Sequence, residues 1–260
     1  MTTMPSTSTG YRQVSGLRRF TRYYAFSLGT VVRDWAFLAF VILMPVTMYV
    51  FFTSVFGDSA DDSVTATMMI MMATYGGLGA AMNAGASIQS ERSSGWFRNL
   101  MLTPLNPAEF VGAKVCTAVT VVIPALGTVF VAGFIQGIRL PMSTWAAMLA
   151  LLLLALLPMV LMGLVIGLWF KPQTATAVTT LSMLTLSMLG GLWIPLEAMP
   201  AGMQSIGRLL PSHWAAQIGS WPLAGGGFPW DGVQVIAVWA LALIAVGALG
   251  YRRAIRTSRR

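Results

Sequence analysis

An all-α, polytopic membrane protein is what this sequence predicts, and three observations carry the prediction. Of its 260 residues, 56% are hydrophobic and only 9% are charged, against roughly 25% charged in an ordinary soluble domain. Six apolar stretches are each long enough to cross a hydrocarbon core, which takes about 20 helical residues. The basic residues gather between alternate stretches, the pattern by which membrane proteins take their orientation. Such a composition excludes a disordered chain and argues against a soluble single-core domain. It also excludes a nucleic-acid binder. The net charge is +8, but the 16 basic residues are strung along an apolar chain rather than gathered on one face.

The spans follow in order. The first runs from about Trp35 to Phe56, the second from Ala66 to Ile88 and the third from Val111 to Ile135. The fourth runs from Thr144 to Phe170, the fifth from Thr174 to Ile194 and the sixth from Gly232 to Tyr251. The first is too long for the apolar region of a signal peptide and lacks a small-residue cleavage site after it. Six crossings put both termini on one side. Arg12, Arg18, Arg19, Arg22 and Arg33 precede the first span, and Arg92, Arg98 and Lys114 accompany the second-to-third connection. Lys171 lies in the fourth-to-fifth connection, and Arg252, Arg253, Arg256, Arg259 and Arg260 follow the sixth span. The opposite side holds only Arg139 and Arg208, with Asp58, Asp61, Asp62, Glu197 and Asp231. The positive-inside rule therefore places both termini in the cytoplasm of a multi-pass protein of the cell's inner membrane.

Two regions are expected to lie along the bilayer. Before the first span, Leu17, Phe20, Tyr24, Leu28, Val31 and Trp35 recur at spacings of three and four, with Arg18, Arg19 and Arg22 off that face. This pattern predicts an amphipathic helix in the cytoplasmic interface. Between the fifth and sixth spans, Met199, Met203, Ile206, Leu209 and Leu210 suggest one short helix, and Pro211 through Ile218 a second. Few polar residues are available to solvate them, so they are read as re-entrant helices dipping into the outer leaflet. Trp193, Trp214, Trp221 and Trp230 suit the headgroup level there. The expected organisation is a cytoplasmic arm over 1–34, a six-helix transmembrane domain over 35–251 and a basic tail over 252–260.

Chemistry of its own is hard to find in this chain. It has one Cys (Cys116) and one His (His213), too few for a disulfide framework or a structural zinc site. The middles of the spans contain no Asp, Glu, Lys, Arg or His, so a proton relay is disfavoured. A phosphate-cradling loop needs G-x-x-x-x-G-K-[ST], and neither Lys114 nor Lys171 follows such a pattern. Ser212 beside His213 invites a hydrolase reading, but neighbours on one short segment rarely aim at each other, and no suitable carboxylate follows. The chain is expected not to be an enzyme.

One connection does carry a signal. After the second span, Glu91 to Ser94 is a polar start, and Trp96, Phe97, Leu100 and Met101 form an apolar ledge. Thr103-Pro104 breaks that helix, and Pro107 restarts one with Glu109 in its first turn. A short helix with a charged tip and an aromatic ledge could dock into a cleft on a soluble partner.

This segment resembles the loop of the type-2 ATP-binding-cassette exporter permeases, E-R-x-x-G-T followed by L-x-x-x-P-L-x-x-x-E-F-x-x-G-K. Glu91, Arg92, Gly95, Leu100, Pro104, Leu105, Glu109, Phe110, Gly112 and Lys114 fall on the pattern, with Trp96 where Thr is usual. Gly190-Gly191-Leu192-Trp193-Ile194-Pro195, Met199-Pro200 and Leu210-Pro211 are similar to the family's fifth-span exit, with Leu210 where Asn is frequent. The likeness extends from about Gly16 to Tyr251 and is nearest in kind to the daunorubicin and multidrug-resistance type.

The resemblance implies a membrane subunit that works as a dimer, most simply of two copies of this chain, with two cytoplasmic ATPase subunits that bind the ATP and Mg. No cofactor is expected in this chain itself, and its other partner is the lipid bilayer. Glu91, Arg92, Gly95, Trp96, Phe97 and Arg98 would sit at the ATPase contact, with a basic residue of the ATPase as the mate of Glu91. The resemblance also implies a path between two permeases, lined by spans two and five with help from span one. Candidates there are Met68, Met72, Asn83, Thr180, Met183 and Ser187, with Trp193, Pro195 and Glu197 at an extracellular gate. A path without charge suits an amphiphilic or hydrophobic substrate: a drug, an antibiotic or a lipid-like molecule. A lipid-linked glycan is the rival within the family, and a membrane-embedded enzyme a more distant one.

Overall fold

Inside a bilayer each backbone polar group must find its partner within the protein, which leaves the α-helix as the element that long apolar runs adopt here. The computed structural model describes residues 16–56, 62–93 and 107–258. Every regular element among them is helical. We number them α1 (Gly16–Arg33), α2 (Trp35–Phe56), α3 (Asp62–Met82), α4 (Ala84–Ser93), α5 (Pro107–Ile135) and α6 (Met142–Ala155). There follow α7 (Leu157–Trp169), α8 (Pro172–Leu189), α9 (Ala201–Gly207), α10 (Pro211–Ala224) and α11 (Trp230–Ser258), with a single 3-10 turn at Leu196–Ala198.

Among the described residues five stretches are long and apolar enough to cross a membrane: Trp35–Val55, Val64–Gln89, Glu109–Ile135, Met142–Trp169 and Trp230–Gly250. The expected fifth span corresponds to α8. Its 18 residues include Thr174, Thr176, Thr179, Thr180, Ser182, Thr185 and Ser187, which dilute its apolar character. The expected fourth span is α6 and α7 together, meeting at Leu156 just before Pro158. Proline has no N–H to donate back up the helix, which accounts for the break at this point.

Span two forms the centre. Met69, Ile70, Met72, Ala73, Leu78, Ala81 and Met82 are all buried, and α3 packs on α2, α5, α7, α8 and α10. At the other extreme, α11 presents Val238, Leu241, Ile244 and Leu249 outward, a face for lipid. Small residues permit the crowding around α3. Gly163 and Gly167, four apart on α7, lie against the start of α4. A Cβ on Gly163 would run into the Met82 carbonyl oxygen, and one on Gly167 into the Gly85 carbonyl oxygen. This is backbone-to-backbone contact of the small-xxx-small kind.

α1 forms as expected, but its stripe meets protein. Phe20, Tyr24, Leu28 and Val31 pack against the core, Tyr23 and Ser27 are buried, and α5 is the main surface beneath them. Leu17 and Trp35, the two ends of the predicted stripe, are exposed. Both short helices expected after span five are present as α9 and α10. α10 is no surface element: Pro211, Ser212, His213, Ala215, Ala216, Ile218 and Gly219 are buried, and Gly219 lies against Leu152 of α6. Trp214 and Trp221 hydrogen-bond the carbonyls of Arg208 (2.7 Å) and Gly226 (3.2 Å).

Candidate functional site

α3 ends at Met82, and after Asn83 α4 carries the chain on towards the connection over 94–106; α5 resumes at Pro107. These two arms and α1 enclose an ion pair. Lys114 Nζ lies 2.7 Å from Glu91 Oε1, and the Lys114 side chain is 1% exposed. The same ammonium donates to Ser27 Oγ of α1 (3.0 Å) and Ser87 Oγ of α4 (3.1 Å), so its three protons are all used. Tyr23 of α1 donates its hydroxyl to Glu91 Oε2 at 2.8 Å. Its ring lies 5.4 Å from Lys114 Nζ and stacks on Phe110 at 5.5 Å. A second, partly exposed pair joins Arg19 to Glu109 at 3.3 Å, and the Tyr24 and Thr120 hydroxyls meet at 2.8 Å. The three elements are thus tied together beside the connection between α4 and α5.

A buried pair gains little net stability, since desolvation offsets the attraction, yet removing one partner strands the other. The pair changes one expectation. The mate foreseen for Glu91 on an ATPase is supplied by Lys114 of this chain. Charge counting had placed Lys114 among the loop cations, and nothing local in the sequence marks it as buried. Arg92 is placed by its backbone on α4. Gly95, Trp96, Phe97 and Arg98 lie outside the described residues.

Above the pair, α2, α3 and α8 line a half-open cavity of about 240 Å³. Phe37, Phe40, Met44 and Pro45 of α2 face Tyr75, Gly76 and Gly79 of α3; Thr179, Thr180 and Met183 of α8 complete the wall with Asn83. No acidic or basic side chain lines it among the described residues. Of the predicted path residues, Asn83, Thr180 and Met183 come together here. Met72 is buried in the core and Met68 packs against it. The Ser187 hydroxyl is spent on the Met183 carbonyl at 2.7 Å. Thr74, Thr117, Thr120 and Thr176 make the same bond to their own helices. Among the described residues the Asn83 amide and the Thr179 and Thr180 hydroxyls make none, which leaves them to face the cavity.

Asn83 also borders a narrow cleft with Val31, Ser87, Lys114 and Thr117. It therefore stands between the cavity and the ion pair. A larger cavity of about 930 Å³ at the far ends of α2 and α3 is lined by Gln136, Arg139, Gln217 and Ser220 among others. It contains none of the predicted path residues, so the smaller one, which brings three of them together, is the better candidate site.

At the far end of α8, positive φ at Gly191 (77°) turns the chain back. Trp193 then lies edge-on to Tyr75 of the cavity wall, ring centroids 5.7 Å apart. Its Nε1 is buried without a hydrogen-bond partner among the described residues. Pro195 and Glu197 are exposed. Ser212 and His213 do not form a catalytic pair, because Ser212 Oγ donates to the Leu186 carbonyl at 2.7 Å. Burial holds the His213 imidazole below its ordinary pKa, with Glu197 opposing the shift.

Comparison with known proteins agrees in kind. The family model described as ABC-2 type transporter matches residues 23–221, from the tyrosine on Glu91 to the last turn of α10. The protein named "Putative transport permease YvfS" in Bacillus subtilis (strain 168) is 30% identical over 216 residues. That alignment covers 81% of this chain and 88% of the relative.

Proposed function

The chain belongs to the ABC-2 type transporter family as a multi-pass membrane permease, and from that premise we propose that it is the transmembrane subunit of an ATP-driven exporter. Two copies pair in the cytoplasmic membrane with both termini inside. Two cytoplasmic ATPase subunits hold the ATP and Mg and grip the connection between α4 and α5. The solute is an amphiphilic or hydrophobic molecule that leaves the cell.

The observation that carries this reading is the position of Asn83, on the wall of both the cavity and the cleft over Lys114. A push on that connection moves α4 and α5 as one body, since Glu91 and Lys114 bind them, and α1 moves with them through Tyr23 and Ser27. The break at Asn83 passes that motion into the cavity wall. Phe37, Phe40, Met44 and Met183 offer a deformable apolar surface, with methionine adapting to varied shapes. Asn83, Thr179 and Thr180 offer neutral hydrogen bonds, whose burial without a partner is costly. The cavity therefore suits an uncharged solute part with one or two polar groups. Phe37, Phe40 and Tyr75 give a lipid-linked glycan a measure of support as a second reading.

Proteoliposomes holding the chain with a co-expressed cassette ATPase test the proposal. ATP hydrolysis should rise with the permease present, and solute uptake into inverted vesicles should require ATP. Gly95→Pro, and Glu91→Leu combined with Lys114→Met, should uncouple the two without loss of assembly, and Asn83→Ala should alter which solutes stimulate hydrolysis. Failure of the purified chain to associate with any cassette ATPase ends the proposal, as does uphill transport by the chain alone on an ion gradient.

A further inference from the structure

The two faces of α1 differ in kind. One is the packed face that carries Tyr23 and Ser27 to the ion pair. The other holds Arg18, Arg22 and Arg33, all exposed. At 3.6 residues per turn these three fall within an arc of about 60°, spread along about 22 Å of helix. Gly29 lies on the same arc between Arg22 and Arg33, and a side chain built there would meet nothing within 4 Å, so the stripe contains an open notch. No acidic residue occurs in α1. The next residue, Asp34, is occupied in capping α2, where its Oδ1 accepts the Phe37 N–H at 3.2 Å.

Apolar side chains flank the stripe. Phe26 is 50% exposed and Val32 54%, each within about 40° of the arc. Arginines interleaved with bare aromatic and aliphatic groups suit a headgroup layer, where guanidinium meets phosphate and the rings reach the acyl boundary. A water-filled protein groove would leave those apolar groups uncovered. Continuity gives the same answer: one residue separates α1 from the membrane-crossing α2, which holds the stripe near the surface of the leaflet.

We propose that Arg18, Arg22 and Arg33 form a binding surface for anionic phospholipid headgroups. Bound lipid presses α1 onto α4 and α5, so the membrane's anionic lipid content sets how firmly the Glu91–Lys114 joint is held. The proposal needs only that the chain resides in a membrane, and it stands apart from the solute, the ATPase and the direction of transport.

Native mass spectrometry of the full purified chain, exchanged into mixtures of phosphatidylglycerol and phosphatidylcholine, reads the effect. The wild-type chain should retain phosphatidylglycerol preferentially. Arg18→Gln/Arg22→Gln/Arg33→Gln should lower that preference roughly tenfold or more, each basic residue near an anionic surface contributing a several-fold factor. Lysine at the same three positions should keep most of it, and Arg139→Gln/Arg208→Gln should leave it unchanged. Should the triple glutamine variant fail to fold, Arg22→Glu alone must reduce the preference. An unchanged preference in either variant overturns the proposal, and so does an equal loss in the Arg139/Arg208 control, which would make net charge the cause. Loss of a co-purified ATPase with lipid retention intact would overturn it in favour of a protein-docking face.

Discussion

Replacing Lys114 by methionine keeps much of the length of the side chain and deletes its charge. In the wild type that charge satisfies Glu91 at 2.7 Å and bonds Ser27 and Ser87. In the variant a carboxylate with a side chain only 10% exposed loses its counter-ion. Breaking one side of a buried pair costs about 3–5 kcal/mol, and in a chain of this size that lowers the melting temperature on the order of 10 °C. Glu91→Leu combined with Lys114→Met removes both charges, and apolar replacement of a whole buried pair is near neutral, within about 1–2 kcal/mol of the parent. The double variant should therefore regain most of the lost stability while remaining uncoupled, since the joint between α1, α4 and α5 no longer moves as a unit. Thermal unfolding in a fixed detergent, followed by near-ultraviolet circular dichroism, measures the first effect. Permease-stimulated ATP hydrolysis measures the second. The reasoning is refuted if Lys114→Met melts within a degree or two of the wild type, or if the double variant is no more stable than the single one.

Tyr23→Phe removes one hydrogen bond to the buried Glu91 carboxylate and should cost about 1.5–3 kcal/mol in the same melts, whereas Tyr24→Phe, at a partly buried hydroxyl pair, should cost less. Gly163→Val should prevent folding, because its side chain would occupy the position of the Met82 carbonyl; Gly127→Ala, where nothing lies within 4 Å, should fold normally, and the monodisperse fraction on size-exclusion chromatography compares them. His213 lies outside the spans, and burial depresses its pKa below the ordinary 6.5. The unfolded chain therefore takes up the proton first as pH falls, so the stability His213 contributes is complete above pH 6.5 and is lost as pH drops through the lower folded value. Melting temperatures between pH 8 and 5 should show that decline, and His213→Gln should flatten it.

Hydropathy is a local property, and what depends on it was readable from the chain by itself. The long apolar runs became helices close to their expected positions, α9 and α10 formed within the connection after span five, and α5 begins at Pro107, where a proline was expected to restart a helix. Asn83 could be singled out because an amide in a run of Gly, Ala and Met is costly wherever that run is buried. Facing directions and partners were another matter. Lys114 reads as one more loop cation until three helices cross and bring it to Glu91, Ser87 and Ser27, which stand 23, 27 and 87 residues away in sequence. The stripe on α1 is the same whether lipid or α5 covers it; packing chose α5 and left the arginines outside. Gly163 and Gly167 acquire their role only against Met82 and Gly85, because close approach belongs to two backbones and neither segment encodes it alone. Helix formation and burial tendency need only neighbours in the chain, whereas charge pairing and backbone contact need a second segment at a given distance, and only the assembled bundle supplies that distance.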